Sequence, residues 1–174
     1  MRGDDQIRTG QEEKMRAPFQ VLVIPYRWMG TTPEFAVFRR SDTGWWQFVA
    51  GGGEDGETPL RAAQRETGEE IGIANGFFMP LDSMATVPKN CFKAAKSWGS
   101  GIYVIPEHCF AVDVRGSDLR LSREHTEVRW ATYADAASLL KWDSNRNALW
   151  ELNERLRTTR RNTATCAADG ASSG

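Results

Sequence analysis

The chain predicts a mixed α/β domain. Three observations carry that expectation: short runs rich in Val, Ile and Phe recur along it, segments with helical spacing of apolar residues interleave with them, and glycine-bearing turns separate the two.

Taken in order, residues 1–16 are polar and charged without periodicity and read as a flexible arm. Phe19 to Tyr26, rich in Val and Ile, reads as a buried strand. After a Gly-Thr-Thr-Pro turn, Glu34 to Arg39 alternates polar and apolar residues as a second strand, and Trp45 to Val49 forms a short third. A glycine-rich loop follows from Ala50 to Glu57. The helix from Pro59 to Ile71 is well bounded, with Thr58 as N-cap, Pro59 at the first helical position and Gly72 just past the end. Leu60, Ala63, Thr67 and Ile71 are its expected buried stripe. Phe110 to Val114 and Val128 to Thr132 are strand candidates; Tyr133 to Leu140 and Ser144 to Arg157 are helices, the second opened by Asp143 or Ser144. Residues 158–174 are small and polar and read as a flexible tail, which leaves one domain at 17–157.

Bulk composition excludes several classes. A net charge of −1 offers no electrostatic driver for nucleic acid, and the longest apolar run, Val21-Leu22-Val23-Ile24, is too short to span a membrane. Three cysteines and two histidines, with no Cys-x-x-Cys or His-x-x-x-His pair, argue against zinc. The odd cysteine count and the charged start of the chain, which lacks an apolar core, favour a cytoplasmic protein with reduced thiols. His108 and His125 read as structural or surface residues.

The chemistry concentrates on the first helix. Glu66, Glu69 and Glu70 fall on one face at three- and four-residue spacing, set away from the apolar stripe. Like charges so spaced repel, and Arg61 and Arg65 flank the group rather than neutralise it. Carboxylates suit Mg²⁺, with Mn²⁺ as an alternative; the other reading is a solvated acidic face. Glu57 stands eight residues before Arg65, and a return contact between them would fix that arginine and orient Glu66 beside it. The preceding Gly51-Gly52-Gly53 allows close backbone approach to a ligand.

The complete spacing runs from Gly51 through five residues to Glu57, through seven more to Arg65, and then Arg65-Glu66-Thr67-Gly68-Glu69-Glu70-Ile71-Gly72-Ile73. This resembles the Nudix box, Gly-x5-Glu-x7-Arg-Glu-U-x-Glu-Glu-x-Gly-U, where U is a bulky apolar residue. Every fixed position matches, and Thr67 at the first U is the one loose fit.

The resemblance implies an α/β/α sandwich around a mixed sheet, with the box as loop, helix and loop. It implies that Glu66, Glu69 and Glu70 hold one or more Mg²⁺ ions, joined by the carbonyl of Ala50, where many relatives have glycine. A further carboxylate from Glu107, Asp113, Glu124 or Glu127 would complete the site. Trp46-Gln47-Phe48-Val49-Ala50-Gly51, Arg39-Arg40 and Arg16-Ala17-Pro18 are similar to the branch of dihydroneopterin triphosphate pyrophosphatases, also known as dATP pyrophosphohydrolases. The stretch Glu124-His125-Thr126-Glu127-Val128-Arg129-Trp130 is similar to that branch's Glu-His-x-x-x-Lys-Trp and selects Glu124; Lys141 and Ser144-Asn145-Arg146 fit its closing stretch. No match extends across Phe77 to Glu107, which is expected to hold part of the substrate pocket.

The implied activity is attack by water on a diphosphate linkage in a small phosphorylated substrate, a nucleoside or pterin triphosphate, with release of pyrophosphate. A dinucleoside polyphosphate hydrolase is the rival within that chemistry, and a ligand sensor without turnover is the rival from another class. Arg39 either clamps phosphate or stays on the surface, and Trp46 either stacks on a ring or enters the core. Arg16 is a candidate substrate contact, and Lys141 is either another or a lysine favoured near its helix end. Neither nucleic acid nor membrane is an expected partner, and the sequence leaves the oligomeric state open.

Overall fold

β-Branched and aromatic residues near the N-terminus build the spine of the molecule. The structure, a computed structural model, describes residues 16–170, with side chains through Arg160; the arm expected before Arg16 and the last four residues of the expected tail lie outside the described residues. Strand β1 (Arg16–Met29) carries Val21, Leu22, Val23 and Ile24, all fully buried. Successive residues point to opposite faces, so Leu22 and Ile24 enter one apolar cluster while Val21 and Val23 enter a second. A strand buried on both faces needs layers on both sides.

Those layers are helical. Helix α1 (Pro59–Ile71) covers the Val21 face. Helices α2 (Tyr133–Leu139) and α3 (Asp143–Gly170) cover the Leu22 face. The sheet between them comprises β1, β2 (Thr32–Arg40), β3 (Trp46–Gln47), β4 (Val49–Glu54), β5 (Phe78–Pro88), β6 (Val104–Asp113) and β7 (His125–Ala131). Its main path is β3-β2-β1-β6-β5, with β4 added to β1 and β7 to β2. β1 and β6 run parallel; the other pairs are antiparallel. The α/β/α sandwich expected from the box is present.

Several boundaries differ from the expectation. The segment Ala50–Glu57 is not a loop throughout, because β4 pairs with β1 through Val23↔Val49, Leu22↔Ala50, Val21↔Gly51 and Gln20↔Gly52. Gly51 and Gly53 lack room for a side chain: a Cβ on Gly53 would stand 2.0 Å from the Phe19 ring. In α1 the buried positions are Ala62, Ala63, Glu66, Thr67, Glu70 and Ile71, whereas Leu60 is 43% exposed. The stripe is thus rotated from the expected one and takes in two of the glutamates. α3 does not stop at Arg157 but continues to Gly170.

Strand β5 was not foreseen. It lies at the sheet edge, contains Pro80 and Pro88, and is irregular between Pro80 and Met84, so it lacks a clean apolar signal. The backbone N–H groups of Asp82 and Ser83 donate instead to the Glu151 carboxylate on α3, at 2.7 and 2.6 Å.

Candidate active site

Helix α1 is held firmly at both ends. Thr58 Oγ1 accepts from the Arg61 N–H, and Gly72, at φ 79°, closes the C-terminus with hydrogen bonds back to the Gly68 and Thr67 carbonyls. Thr67, fully buried, donates its hydroxyl to the Ala63 carbonyl at 2.6 Å. That bond lets a threonine fill the position where the box has a bulky apolar residue.

The expected return contact is present. Arg65 Nε donates to Glu57 Oε1 at 2.9 Å and Nη2 to Glu57 Oε2 at 3.0 Å, a bidentate pair. The same guanidinium reaches Glu66 Oε1 at 2.8 Å, Glu69 Oε2 at 3.3 Å and the Gly52 carbonyl at 3.0 Å. These carboxylates, Glu57 foremost, hold its pKa well above the ordinary value despite partial burial. Glu57 Oε2 also accepts the Glu54 N–H at 2.9 Å, tying the turn before α1 to β4. Against this network sits Gly51, where a Cβ would lie 1.9 Å from Glu66 Cδ.

Glu66 and Glu70, one helical turn apart, are only 7% and 2% exposed. Burial raises the pKa of both; Arg65 opposes that rise at Glu66, and His125 opposes it at Glu70. His125 is buried, with Nε2 2.6 Å from Glu70 Oε2 and its ring packed on Phe38. Glu124 and Glu66 add like-charge repulsion to Glu70, so these carboxylates share one region of negative potential. Glu124 itself accepts from Arg40 Nη1 at 2.8 Å. Glu69 shares the Arg65 guanidinium with Glu66, and its side chain is 61% exposed.

No three His, Cys, Asp or Glu side chains among the described residues form a preassembled metal cluster. The donor chemistry nevertheless fits a hard divalent cation. Glu66, Glu70, Glu124 and the Ala50 carbonyl are all oxygen donors, and the two buried carboxylates gain from an added positive charge.

Two adjoining hollows flank this region and share Arg40, Cys91 and Phe92. One, of about 480 Å³, is bordered by Arg16, Lys93 and Gly52. The other, of about 560 Å³, reaches Gln20, Ala50, Glu107, Trp142 and Ser144.

A family model, the NUDIX domain, matches residues 20–151. The chain belongs to the Nudix family. Dihydroneopterin triphosphate diphosphatase of Escherichia coli K12 is 29% identical over 142 residues, covering 80% of this chain and 94% of that protein. The crystal structure of a Listeria monocytogenes chain assigned to the NUDIX hydrolases has a TM-score of 0.75 at 44% identity, covering 82% of this chain and 97% of the other. The structure of the E. coli dihydroneopterin triphosphate pyrophosphohydrolase has a TM-score of 0.63 at 25% identity, covering 79% and 95%. The protein is a Nudix hydrolase, of the class acting on phosphoric anhydrides.

Around the Nudix helix, the remaining sequence candidates divide. Arg16 borders the first hollow, donating to the Gly52 carbonyl at 2.8 Å and lying 3.4 Å from Glu66 Oε1. Ala50 lines the second, and no non-glycine described residue has positive φ, so its place before Gly51 is unstrained. Arg39 borders neither hollow; it donates to the Gly44 carbonyl at 3.3 Å and faces Glu127 at 3.9 Å. Its neighbour Arg40 lines both, because alternation along β2 sends the two side chains opposite ways. Trp46 packs against the core beneath the Arg129 guanidinium, and Lys141 lies over Trp45; neither lines a hollow. Trp142 does. The stretch without a sequence match supplies Cys91, Phe92, Lys93 and Trp98 to the lining of the first hollow.

Proposed function

We propose that this protein is a Mg²⁺-dependent pyrophosphohydrolase that cleaves a nucleoside or pterin triphosphate to the monophosphate and pyrophosphate. One observation carries the reading: Glu66 and Glu70 are buried a turn apart, and Glu66 lies against Gly51, which leaves no room for a side chain. The E. coli relative's name supports the pterin end of that range.

Glu66, Glu69, Glu70, Glu124 and the Ala50 carbonyl would hold Mg²⁺ or Mn²⁺. A cation held there would supply charge neutralisation at the substrate's phosphates, which favours attack by water on phosphorus. Arg65, gripped by Glu57, acts as a positioning residue that fixes Glu66. Arg16 and Arg40 border the hollow beside Gly52 and suit the outer phosphates. Water adds its oxygen to phosphorus, the bridging P–O bond breaks, and pyrophosphate leaves with that bridging oxygen.

The test is pyrophosphate release with Mg²⁺ or Mn²⁺ from dihydroneopterin triphosphate, dATP and diadenosine tetraphosphate. Preference for either triphosphate supports the proposal; turnover of the dinucleotide alone replaces it with the rival hydrolase, and silence on all three favours a sensor. Glu70→Gln is expected to lose at least about 100-fold in rate while its circular dichroism stays native, since the metal contribution to such barriers is several kcal/mol. Glu124→Gln should fall similarly. A larger loss for Glu127→Gln would move the outer carboxylate there.

A further inference from the structure

One buried carboxylate, named above among the candidates for the outer metal ligand, stands apart from the Glu66–Glu70–Glu124 group. Glu107, on β6, is 3% exposed. Its Oε2 accepts from Gln20 Nε2 at 2.5 Å and the Ser144 hydroxyl stands beside the carboxylate, while Oε1 is buried without a hydrogen bond of good geometry. A buried acceptor left unmet is costly, so its retention points to an incoming donor. The carboxylate lines the second hollow, with Gln20, Gln47 and Ser144 as polar neighbours and Phe92 and Trp142 as aromatic ones. The one other acidic side chain lining it, Asp143, is paired with Arg146.

The position relative to the box helix is fixed by the sheet. Glu107 is in register with Gln20, and Gln20 with Gly52. The hollow meets the cationic one at Arg40. A substrate whose phosphates lie by Arg16, Arg40 and Lys93 therefore brings its other end to Glu107.

We infer that Glu107 reads the ring of the substrate, accepting hydrogen bonds from an amino group and an adjacent ring N–H. The 2-amino-4-oxopyrimidine edge shared by pterins and guanine has that donor pair. Adenine offers an amino group beside an unprotonated nitrogen, whose lone pair would face the carboxylate. The inference rests on the triphosphate hydrolase reading and narrows its substrate class to amino-oxo rings.

Ring selection is separable from phosphate chemistry. At pH 7 the wild type should bind neopterin at least about tenfold more tightly than adenosine, measured by quenching of tryptophan fluorescence. Glu107→Gln, which conserves shape, should cut kcat/KM for dihydroneopterin triphosphate relative to dATP at least about tenfold, with inhibition by inorganic tripolyphosphate unchanged. Equal or adenosine-favouring binding by the wild type overturns the inference even if the variant fails to fold. So does an unchanged substrate ratio in a folded variant. Ring preference without hydrolysis by the wild type would sink the hydrolase reading and leave the Glu107 assignment standing.

Discussion

At Gly51 the missing side chain is itself functional, since any Cβ there would collide with the Glu66 carboxyl at 1.9 Å. Arg65 and Arg16 already crowd that carboxyl, so it has little freedom to move aside. Gly51→Ala should therefore lose at least about tenfold in kcat and about 1–3 kcal/mol in stability, as overpacked sites do. The neighbouring Gly52→Ala makes only ordinary contacts, with Arg16 from 3.6 Å and the Phe19 carbonyl at 3.9 Å, has no left-handed φ to strain it, and should melt within about 0.5 kcal/mol of wild type. Thermal melts and initial rates of both variants check the contrast; equal effects would mean that the collision is relieved elsewhere.

Among the elements, the junction of α3 with the β3–β4 corner controls how the two hollows are framed. Asn145 is 2% exposed and accepts the Phe48 N–H through Oδ1 at 3.0 Å. Arg146 donates to the Leu140 carbonyl and to Asp143, fastening the start of the same helix. Asn145→Ala would leave the Phe48 amide buried and unmet, at about 1–3 kcal/mol or several degrees of melting temperature. A melt within a degree of wild type would show that the corner has another support. This is also where legibility from sequence divides. The box helix was readable because its caps, its carboxylates and the Glu57–Arg65 spacing are local in the chain. Glu107 was weighed only as an outer metal ligand and Arg40 only as part of the Arg39-Arg40 pair, because their places at the hollows come from strand registers and from contacts between residues far apart. Arg39, Trp46 and Lys141 were singled out by resemblance, and each lies one residue or one face from the side chain that lines the hollow. β5 escaped notice because Pro80 and Pro88 read as strand breakers, and because Ser83 on its inner face and Met84 on its outer one blur the alternation.

For the molecule as a whole, the buried carboxylates tie folding to pH. Desolvation raises the Glu107 pKa, with Ser144 and Gln20 pulling the other way. The folded state therefore holds this proton more tightly than the unfolded state. The resulting stability is fully present below the ordinary value of 4.5 and is lost as pH rises through the raised one. Denaturant melts of metal-free protein should show wild-type stability falling relative to Glu107→Gln across that window; parallel curves would remove the carboxylate from the balance. Among the described residues no helix is long and apolar enough to cross a membrane, and the apolar mass lies in the two layers around β1.

The run of partners Gly52, Gln20 and Glu107 across three neighbouring strands has a metric consequence. Strands stand about 4.8 Å apart, so the outer two positions are separated by about 10 Å, and backbone hydrogen bonds rather than side-chain rotamers maintain that interval. On the proposed reading the sheet is a ruler laid between the ring and the anhydride. With the ring seated at one mark, the anhydride that reaches the carboxylates is set by its distance from the ring, so the point of cleavage along the phosphate chain is selected by the enzyme's stiffest component.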